Sequence, residues 1–220
     1  MLPFSEEQFL RVFADYNQAV WPAQLVLYSA AVLALLVVVG GRANSGRVIA
    51  VVLALLWLWM GAAYHLTFFT AINKAAYLFG ALFILQALLF LVWGVQKLPP
   101  CFRLRADLYG IAAAALLTYS LVVYPALGHL LGREYLASPT FGLPCPTTIF
   151  TFGLLLCAEG RAPLRLLPIP LGWSVVSASA ASALGITEDY GLIPAGFVGA
   201  FLVVRRNLNY DRHARAVVRA

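Results

Sequence analysis

The sequence predicts an all-α membrane protein with seven transmembrane helices. Three observations lead to this fold class: 62% of the residues are hydrophobic while 11% are charged, several apolar runs are about twenty residues long, and short loops rich in Arg, Gly and Pro separate those runs. A helix of about twenty apolar residues crosses the roughly 30 Å hydrocarbon core of a bilayer. We therefore expect a single membrane domain over residues 1–220 and no separate soluble module.

The first predicted element is an N-terminal amphipathic helix at the membrane interface, within residues 1–21. Ser5 and Gln8 have the spacing of a capping box, and the acidic residues between them complement the helix dipole. Large apolar side chains recur every three or four residues, at Phe9, Phe13, Tyr16 and Val20. We expect this helix to pack on the bundle or anchor it, and a gating role is the alternative.

Seven apolar segments follow and define the predicted spans. Trp21 and Pro22 mark the interface before the first span. The prolines early in the sixth span are tolerated because the first turn of a helix lacks bonding partners. The spans are residues 23–39, 48–69, 75–95, 108–131, 146–158, 166–186 and 190–204, and a basic tail covers residues 205–220.

The fifth span is too short to cross a bilayer alone. A helix over residues 146–158 rises only about 20 Å, against a hydrocarbon core of about 30 Å. Pro144 and Pro146 fix φ and lack backbone donors, which predicts extended backbone at Cys145 and a helix that begins at about Pro146. Non-helical backbone at membrane depth is tolerated only where protein or a water-filled cavity covers it. We therefore expect the FGLPC segment, residues 141–145, to lie at such a cavity.

The distribution of charge predicts the orientation. With the N-terminus outside and the C-terminus inside, every Lys and Arg except Arg11, Lys74 and Arg133 falls on the cytoplasmic side, as the positive-inside rule requires. A re-entrant fifth helix would move the tail arginines outside, so we reject that alternative. The basic residues thus report topology. They argue against nucleic acid as a partner and predict contact between the tail and anionic lipid of the bilayer.

Spans six and seven are rich in small residues. Ser177, Ala181 and Gly185 follow one another at four-residue steps, and Ala195 and Gly199 repeat that step in the last span. Rows of small residues let membrane helices approach closely, because packing must replace the hydrophobic drive that lipid does not supply. We expect tight packing within one monomer. An oligomer interface is the alternative, and the oligomeric state stays open.

Polar side chains fall near the extracytoplasmic ends of separate predicted spans. Polar groups inside a bilayer are costly unless they are paired or face water, so their shared depth predicts an outward-facing polar cavity. The start of the fifth helix would direct its amides and its positive dipole end into that cavity, where they would stabilise an anion, a carbonyl oxygen or a thiolate. The candidate ligand-binding residues are Asn17, Tyr64, His65, His129, Cys145, Thr147, Thr148, Glu188 and Asp189.

Several of these candidates also have a structural interpretation. His65 can donate a hydrogen bond to a neighbouring helix, and His129 can be an ordinary interfacial histidine after a Pro-Ala-Leu-Gly turn. Glu188 and Asp189 can cap the last span in solvent. Cys145 is the most specific candidate, because it lies at the start of the short helix.

His65, His129 and Cys145 also define a candidate metal site, because imidazole and thiolate ligands suit zinc or copper. The chain has no HxxxH, CxxC or HExxH motif, and its three cysteines imply no disulfide framework. It also has no GxSxG, Walker or dinucleotide motif, which argues against those hydrolase, nucleotide-driven and dehydrogenase classes. The last span has no lysine for a retinal Schiff base.

Four strings carry a resemblance to a known family and together extend over nearly the whole chain. They are PFSEEQFLRVFADYNQAVWPAQ, AAYHLTFFTAINKAAYLFGALF, FGLPCPTTIFTFGLLL and GITEDYGLIPAG. They resemble a family of bacterial multi-spanning membrane proteins known only as a domain of unknown function. The resemblance implies an integral protein of the bacterial inner (cytoplasmic) membrane and implies no activity. The seven-span metal-dependent hydrolases that include ceramidases are similar in span count alone, since the paired histidines of their last span are missing here.

These observations predict a protein that binds or conducts a small solute or ion through an outward-facing cavity around Cys145, His65 and His129. A membrane-embedded enzyme, either metal-dependent or with Cys145 as nucleophile and a histidine as base, is the second hypothesis. It requires Cys145 within hydrogen-bond reach of His65 or His129, or all three side chains around one ion. A membrane scaffold or accessory subunit is the third hypothesis.

Overall fold

Helices form most of the computed structural model, which describes residues 3–41, 43–96, 101–132 and 135–219. Helix α3 continues directly into a π-helix, Met60–Phe68, and a second π-helical segment, Tyr119–Val123, joins α5 to α6. The helices are α1 (Glu6–Val20), α2 (Ala23–Gly40), α3 (Ser45–Trp59), α4 (Ala76–Gln96), α5 (Leu108–Thr118), α6 (Tyr124–Leu130), α7 (Pro144–Leu156), α8 (Pro168–Leu184) and α9 (Leu192–Arg219).

Within the described part of the chain, six helical stretches are long and apolar enough to cross a membrane. They correspond to six of the predicted spans, which confirms the all-α class and the membrane-helix character of the chain. The stretches are Ala23–Gly40, Ser45–Ala71, Ala76–Gly94, Leu108–Leu130, Leu164–Leu184 and Asp189–Asp211. The predicted fifth span is a shorter apolar helix, α7.

Helix α7 lies inside the bundle, and every one of its residues is buried. It packs against α3, α5, α8 and α9. A Cβ atom on Gly153 would lie 2.8 Å from Leu117 Cγ of α5, and Trp57 Nε1 of α3 donates a hydrogen bond to Thr151 Oγ1 at 3.0 Å. Because protein surrounds α7, its short length leaves no backbone facing lipid.

The two ends of the bundle differ in what packs there. Helix α1 lies across one end, beside the first residues of α2 and α7 and the last residues of α8; we name this the α1 end. At the opposite end, residues 101–105 pack on the last residues of α7. There the Arg103 N–H donates to Cys157 O at 2.8 Å, and the Phe102 N–H donates to Ser45 Oγ at 2.7 Å. Helix α7 therefore runs from the α1 end towards the opposite end.

Helix α9 continues beyond the predicted last span and through the predicted tail, as far as Arg219. Arg206 is buried in this extension, and its Nη1 donates to the carbonyl oxygens of Leu155 and Leu156 at 2.8 and 2.9 Å. The guanidinium thereby satisfies carbonyl groups at the end of α7 and places positive charge at the negative end of that helix dipole. From the sequence, we had counted Arg206 only among the basic residues that predict the orientation.

The small residues predicted to pack spans six and seven have different roles in the structure. Gly199 packs on α7, since a Cβ there would lie 2.8 Å from Phe152 Cβ. Gly185 ends α8 with a left-handed φ of 69°. Ser177 and Ala181 instead line a cavity. Gly199 therefore packs against a neighbouring helix as expected, whereas Ser177 and Ala181 face the cavity.

Helices α3 and α4 approach each other closely at Gly94. A Cβ atom there would lie 2.4 Å from Ala50 Cβ, which is too close for two carbon atoms in contact. Gly172 on α8 offers a contrast, because a Cβ atom at that position would meet nothing within 4 Å.

Candidate functional site

A cavity of about 130 Å³ lies inside the bundle beneath α1. It is bordered by α1, the π-helical end of α3, the start of α7, part of α8 and the short 3-10 helix before α9, which carries Asp189. Single side chains of α4 and α6 also line it, and its walls are mainly aromatic and aliphatic. The aromatic side chains are those of Phe4, Phe9, Phe13, Tyr64, Phe69, Phe79, Tyr124 and Trp173. We name this space the α1 cavity.

The polar wall of the α1 cavity is a hydrogen-bonded cluster of Tyr124, Cys145, Ser177 and Asp189, which we name the polar cluster. Cys145 Sγ lies 2.9 Å from Ser177 Oγ, and Ser177 Oγ donates to Asp189 Oδ2 at 3.3 Å. Because that donation uses the one hydroxyl proton of Ser177, the thiol is the donor in the first bond. Tyr124 donates its hydroxyl proton to Asp189 Oδ1. Hydroxyl donors to a carboxylate form charge-assisted bonds, so these contacts fix the Asp189 side chain at the cavity wall.

The polar cluster is buried in the protein. Asp189 is 2% exposed, Tyr124 is 1% exposed and Cys145 is 7% exposed. Electrostatic interactions at such a site are stronger than in water, because the local dielectric constant is low. A charged or polar group that entered the α1 cavity would therefore interact strongly with the carboxylate.

Two helices change to π-helix where they meet the α1 cavity. The segment Met60–Phe68 carries Tyr64 to the cavity wall, and the segment Tyr119–Val123 directly precedes Tyr124. A π-helical turn contains an extra residue, so it changes the direction in which the following side chains point. Such turns are rare and occur frequently at functional sites.

Helix α7 begins at Pro144, earlier than the predicted start at Pro146. Leu143 is the extended residue that precedes the helix, and Cys145 lies in the first helical turn, where we had expected extended backbone. Proline is accepted in this turn because the first N–H groups of a helix lack partners. Since Pro144 and Pro146 have no N–H, Cys145 is the one residue of the first three that can donate. The start of α7 is therefore poor in the amide donors that the anion-binding prediction required.

Helix α1 closes one side of the cavity. The predicted capping box is present: the Ser5 N–H donates to Gln8 Oε1 at 2.9 Å, and the Gln8 N–H donates to Ser5 Oγ at 3.3 Å. The apolar face of the helix packs on protein, and the rings of Phe9 and Phe13 line the cavity. Phe9 contacts the ring of Phe69 at a centroid distance of 5.9 Å. In the structure this face covers the cavity.

Tyr16 and Asn17 attach α1 to the rest of the bundle. Trp59 Nε1 donates to the Tyr16 hydroxyl at 2.6 Å, and that hydroxyl donates to Gly142 O at 3.5 Å. Burial raises the pKa of Tyr16 from 10.0 to about 12, because it disfavours the phenolate. Tyr16 is therefore neutral at physiological pH and keeps the proton that it donates.

Asn17 is 1% exposed, and both ends of its amide are used. Its Nδ2 donates to Leu136 O at 2.7 Å and to Ser138 O at 2.9 Å. Its Oδ1 accepts from Gln24 Nε2 at 2.7 Å and from Thr140 Oγ1 at 2.9 Å. We had predicted Asn17 as a ligand-binding residue. The structure instead places it in a clamp that joins α1 and α2 to the segment before α7.

Comparison with known proteins assigns the chain to a family. The model of a family of unknown function, DUF6064, matches residues 6–214. The chain belongs to this family. This match confirms the resemblance to a family known only as a domain of unknown function. The residues of this DUF6064 chain that the family model matches include α1, α7 and the whole polar cluster. No curated protein and no solved structure matches the chain.

His65 lies next to the α1 cavity but is not among the side chains that line it. Its ring is fully buried between aromatic rings, at centroid distances of 4.5 Å from Phe83 and 5.0 Å from Trp173. Neither ring nitrogen has a hydrogen-bond partner among the described residues. The structure therefore shows neither the expected bond to a neighbouring helix nor a bond to Cys145.

His129 lies away from the α1 cavity, contrary to the predicted grouping with Cys145 and His65. It is exposed and lines a separate pocket of about 300 Å³ with Trp21 and Tyr28. The physical reason is helical phase: at about 100° per residue, the five steps from Tyr124 to His129 rotate the side chain by roughly 140°. Tyr124 faces the cavity, so His129 faces elsewhere.

The remaining predicted site residues divide between the cavity and the interior. Tyr64 and Asp189 line the cavity, and Asp189 is buried where the alternative had placed it in solvent. Thr147 and Thr148 are fully buried inside the bundle and are not among the lining residues. Thr147 Oγ1 accepts from the Gly142 N–H at 3.3 Å. The side chain of Glu188 lies outside the described part of the structure.

The proposed ligands for a metal do not meet. Among the His, Cys, Asp and Glu residues whose side chains the structure describes, no three are close enough to hold one ion. His65, His129 and Cys145 all belong to these residues, so their predicted zinc or copper site does not form in this structure. The enzyme hypothesis also required a histidine beside Cys145, and the structure places Ser177 there.

Three residues of the site are not among the candidate ligand-binding residues: Tyr124, Trp173 and Ser177. The sequence places Tyr124 with His129 among the polar side chains near the outer end of the fourth predicted span, at the same depth as the candidates. Ser177 was assigned to a row of packing residues. Trp173 and Ser177 are four residues apart on α8, which places them on one helix face. This aromatic and polar face was a signal that the small-residue pattern concealed.

Proposed function

We propose that this protein is a membrane protein that crosses the bilayer seven times and binds a small solute in the α1 cavity. The observation that carries the proposal is the polar cluster inside an aromatic cavity. Binding sites are typically concave and largely apolar, with a few polar groups that orient the ligand. The α1 cavity has this composition, and its polar groups are held in place by hydrogen bonds to one another.

The seven-crossing topology rests on the direction of α7. Helix α7 runs from the α1 end towards the opposite end, so α8 and α9 retain the alternation that the other helices establish. Exposed basic residues collect at the opposite end, including Arg47, Arg103 and Arg161. The positive-inside rule then favours the α1 end outside and the opposite end in the cytoplasm. The bacterial inner membrane stays a prediction of the resemblance.

Helix α1 is the proposed cover of the binding site. It precedes the first spanning helix and is attached through the Tyr16 contacts and the Asn17 clamp. Its outer positions, such as Arg11 and Asp15, are exposed. A solute of modest size can reach the cavity when this helix moves, without separation of the spanning helices. We therefore place the entrance at the α1 end.

Alkylation of Cys145 by N-ethylmaleimide tests this proposal, because a solute in the α1 cavity would shield the thiol. Three probes of similar compact shape differ in charge: tetramethylammonium, tert-butanol and pivalate. The modified cysteine is identified by mass spectrometry. We expect at least one probe to slow alkylation of Cys145 in a saturable way without slowing that of Cys101, which lies at the opposite end beside Gly41.

A matched pair of variants ties the protection to the cavity. Ala181 lines the cavity and is 1% exposed, so Ala181→Leu fills part of the binding space. Ala183 is exposed on the same helix, so Ala183→Leu adds the same group outside the cavity. The first variant should lose the saturable protection and the second should keep it. Solute binding in the α1 cavity is refuted if no probe protects Cys145, or if Ala181→Leu leaves the protection unchanged.

A further inference from the structure

The charge of the α1 cavity points to the class of solute, given that the proposed binding function is correct. Asp189 carries the formal charge among the side chains that line the cavity in the described part of the chain. The start of α7 would normally favour an anion, but Pro144 and Pro146 remove most of its amide donors. The fixed charge at the cavity wall is therefore negative, and nothing in the first turn of α7 outweighs it.

The aromatic walls favour the same class. Tyr64, Phe69 and Trp173 line the cavity together with rings from α1. The face of an aromatic ring attracts a cation, and the attraction is larger where water is excluded. Alkyl groups on the cation would also bury apolar surface against these rings. An organic cation would thus use both the rings and the carboxylate, whereas an anion would use the rings alone.

The size of the cavity limits the solute. An apolar cavity of about 150 Å³ is known to hold a benzene-sized molecule, and the α1 cavity is of comparable volume, about 130 Å³. A compact ammonium with a few small alkyl groups fits such a space, whereas a lipid headgroup with its chains attached does not.

We propose that the α1 cavity binds a small organic cation, with its ammonium group beside the Asp189 carboxylate and its alkyl groups against the aromatic walls. Tyr124 and Ser177 hold the carboxylate oxygens through their hydroxyl groups, so the acceptor is already oriented before the solute enters. Such preorganisation lowers the cost of binding.

The three probes used with Cys145 also test this inference. At constant ionic strength, tetramethylammonium should protect Cys145 at concentrations about 10-fold lower than its neutral near-isostere tert-butanol, since the aromatic faces and the carboxylate both attract a cation where water is excluded. Pivalate should protect least. In Asp189→Asn, tetramethylammonium should lose most of its advantage over tert-butanol and keep only the part that the aromatic rings supply.

A second pair of variants keeps the test valid if Asp189→Asn folds poorly. Trp173→Leu removes an aromatic wall, and Trp173→Phe keeps one of smaller size. Tetramethylammonium should lose affinity in the first variant and retain most of it in the second, while tert-butanol changes little in either. Equal or stronger protection by tert-butanol or pivalate in the wild type overturns the cationic class and leaves solute binding intact. A lack of protection by all three probes overturns both proposals.

Discussion

Replacement of Asn17 by Leu should detach α1 from the mouth of the cavity. Asn17 makes four hydrogen bonds in a buried site: to Leu136 O and Ser138 O as donor, and from Gln24 and Thr140 as acceptor. Leu has the same number and branching of side-chain heavy atoms, so the change in packing is small compared with the loss of hydrogen bonds. A net contribution of about 1 kcal/mol per hydrogen bond gives roughly 4 kcal/mol for the whole clamp.

The free energy lost in Asn17→Leu is slightly smaller than this total. Gln24 Nε2 keeps its second acceptor, Thr140 Oγ1, at 3.1 Å, so we expect the closed position of α1 to lose about 3 kcal/mol of stabilisation. Each 1.4 kcal/mol changes an equilibrium about tenfold, so the open state of α1 should become roughly 100-fold more populated. The other attachment, through Tyr16 and Trp59, is unchanged by this substitution.

The rate of Cys145 alkylation measures the open population, because Phe9 and Phe13 shield the cavity in the closed state. Asn17→Leu should raise that rate by roughly 100-fold, unless it first reaches the rate of a free thiol. Gln18→Leu is the matched control, because Gln18 is the exposed neighbour on the same helix. If Asn17→Leu and Gln18→Leu give equal rates, the clamp does not hold α1 closed and the entrance lies elsewhere.

Three further predictions concern the membrane architecture. In a protein whose native cysteines have been replaced, Gln18→Cys should react with an impermeant maleimide added to intact cells. Ala106→Cys should react only after the cells are lysed. The reverse pattern contradicts the proposed orientation. Gly94→Ala should lower the free energy of unfolding by about 1–3 kcal/mol, because the added methyl group would collide with α3, and the melting temperature in detergent should fall. Gly172→Ala should be neutral or stabilising. Equal shifts in the two variants would refute the close packing of α3 and α4. Arg206→Met should lower the melting temperature by about 4–8 °C, equivalent to about 2 kcal/mol, because it removes one hydrogen bond from each of two α7 carbonyl groups. An unchanged melting temperature would show that the contact contributes nothing.

The cavity itself could be predicted only in part. The FGLPC segment indicated where a cavity should lie, and Cys145, Tyr64 and Asp189 do line it. His129 does not, because the sequence gives the depth of a residue along its helix, whereas the direction that each helix face takes in the bundle depends on how the helices pack. Two π-helical segments change that direction again, beside Tyr64 and before Tyr124. Neither segment leaves a periodic pattern in the sequence.

The chain by itself determined its class and the approximate limits of its long helices, because about twenty apolar residues have few options other than a membrane-crossing helix. It also determined the capping box at Ser5 and the restricted backbone around Pro144. Only the tertiary structure decided that Asn17 joins α1 and α2 to the segment before α7, that Arg206 of α9 caps α7, and that Ser177 joins Cys145 to Asp189. These roles depend on contacts between residues far apart in sequence, and such contacts follow from the relative rotation of packed helices.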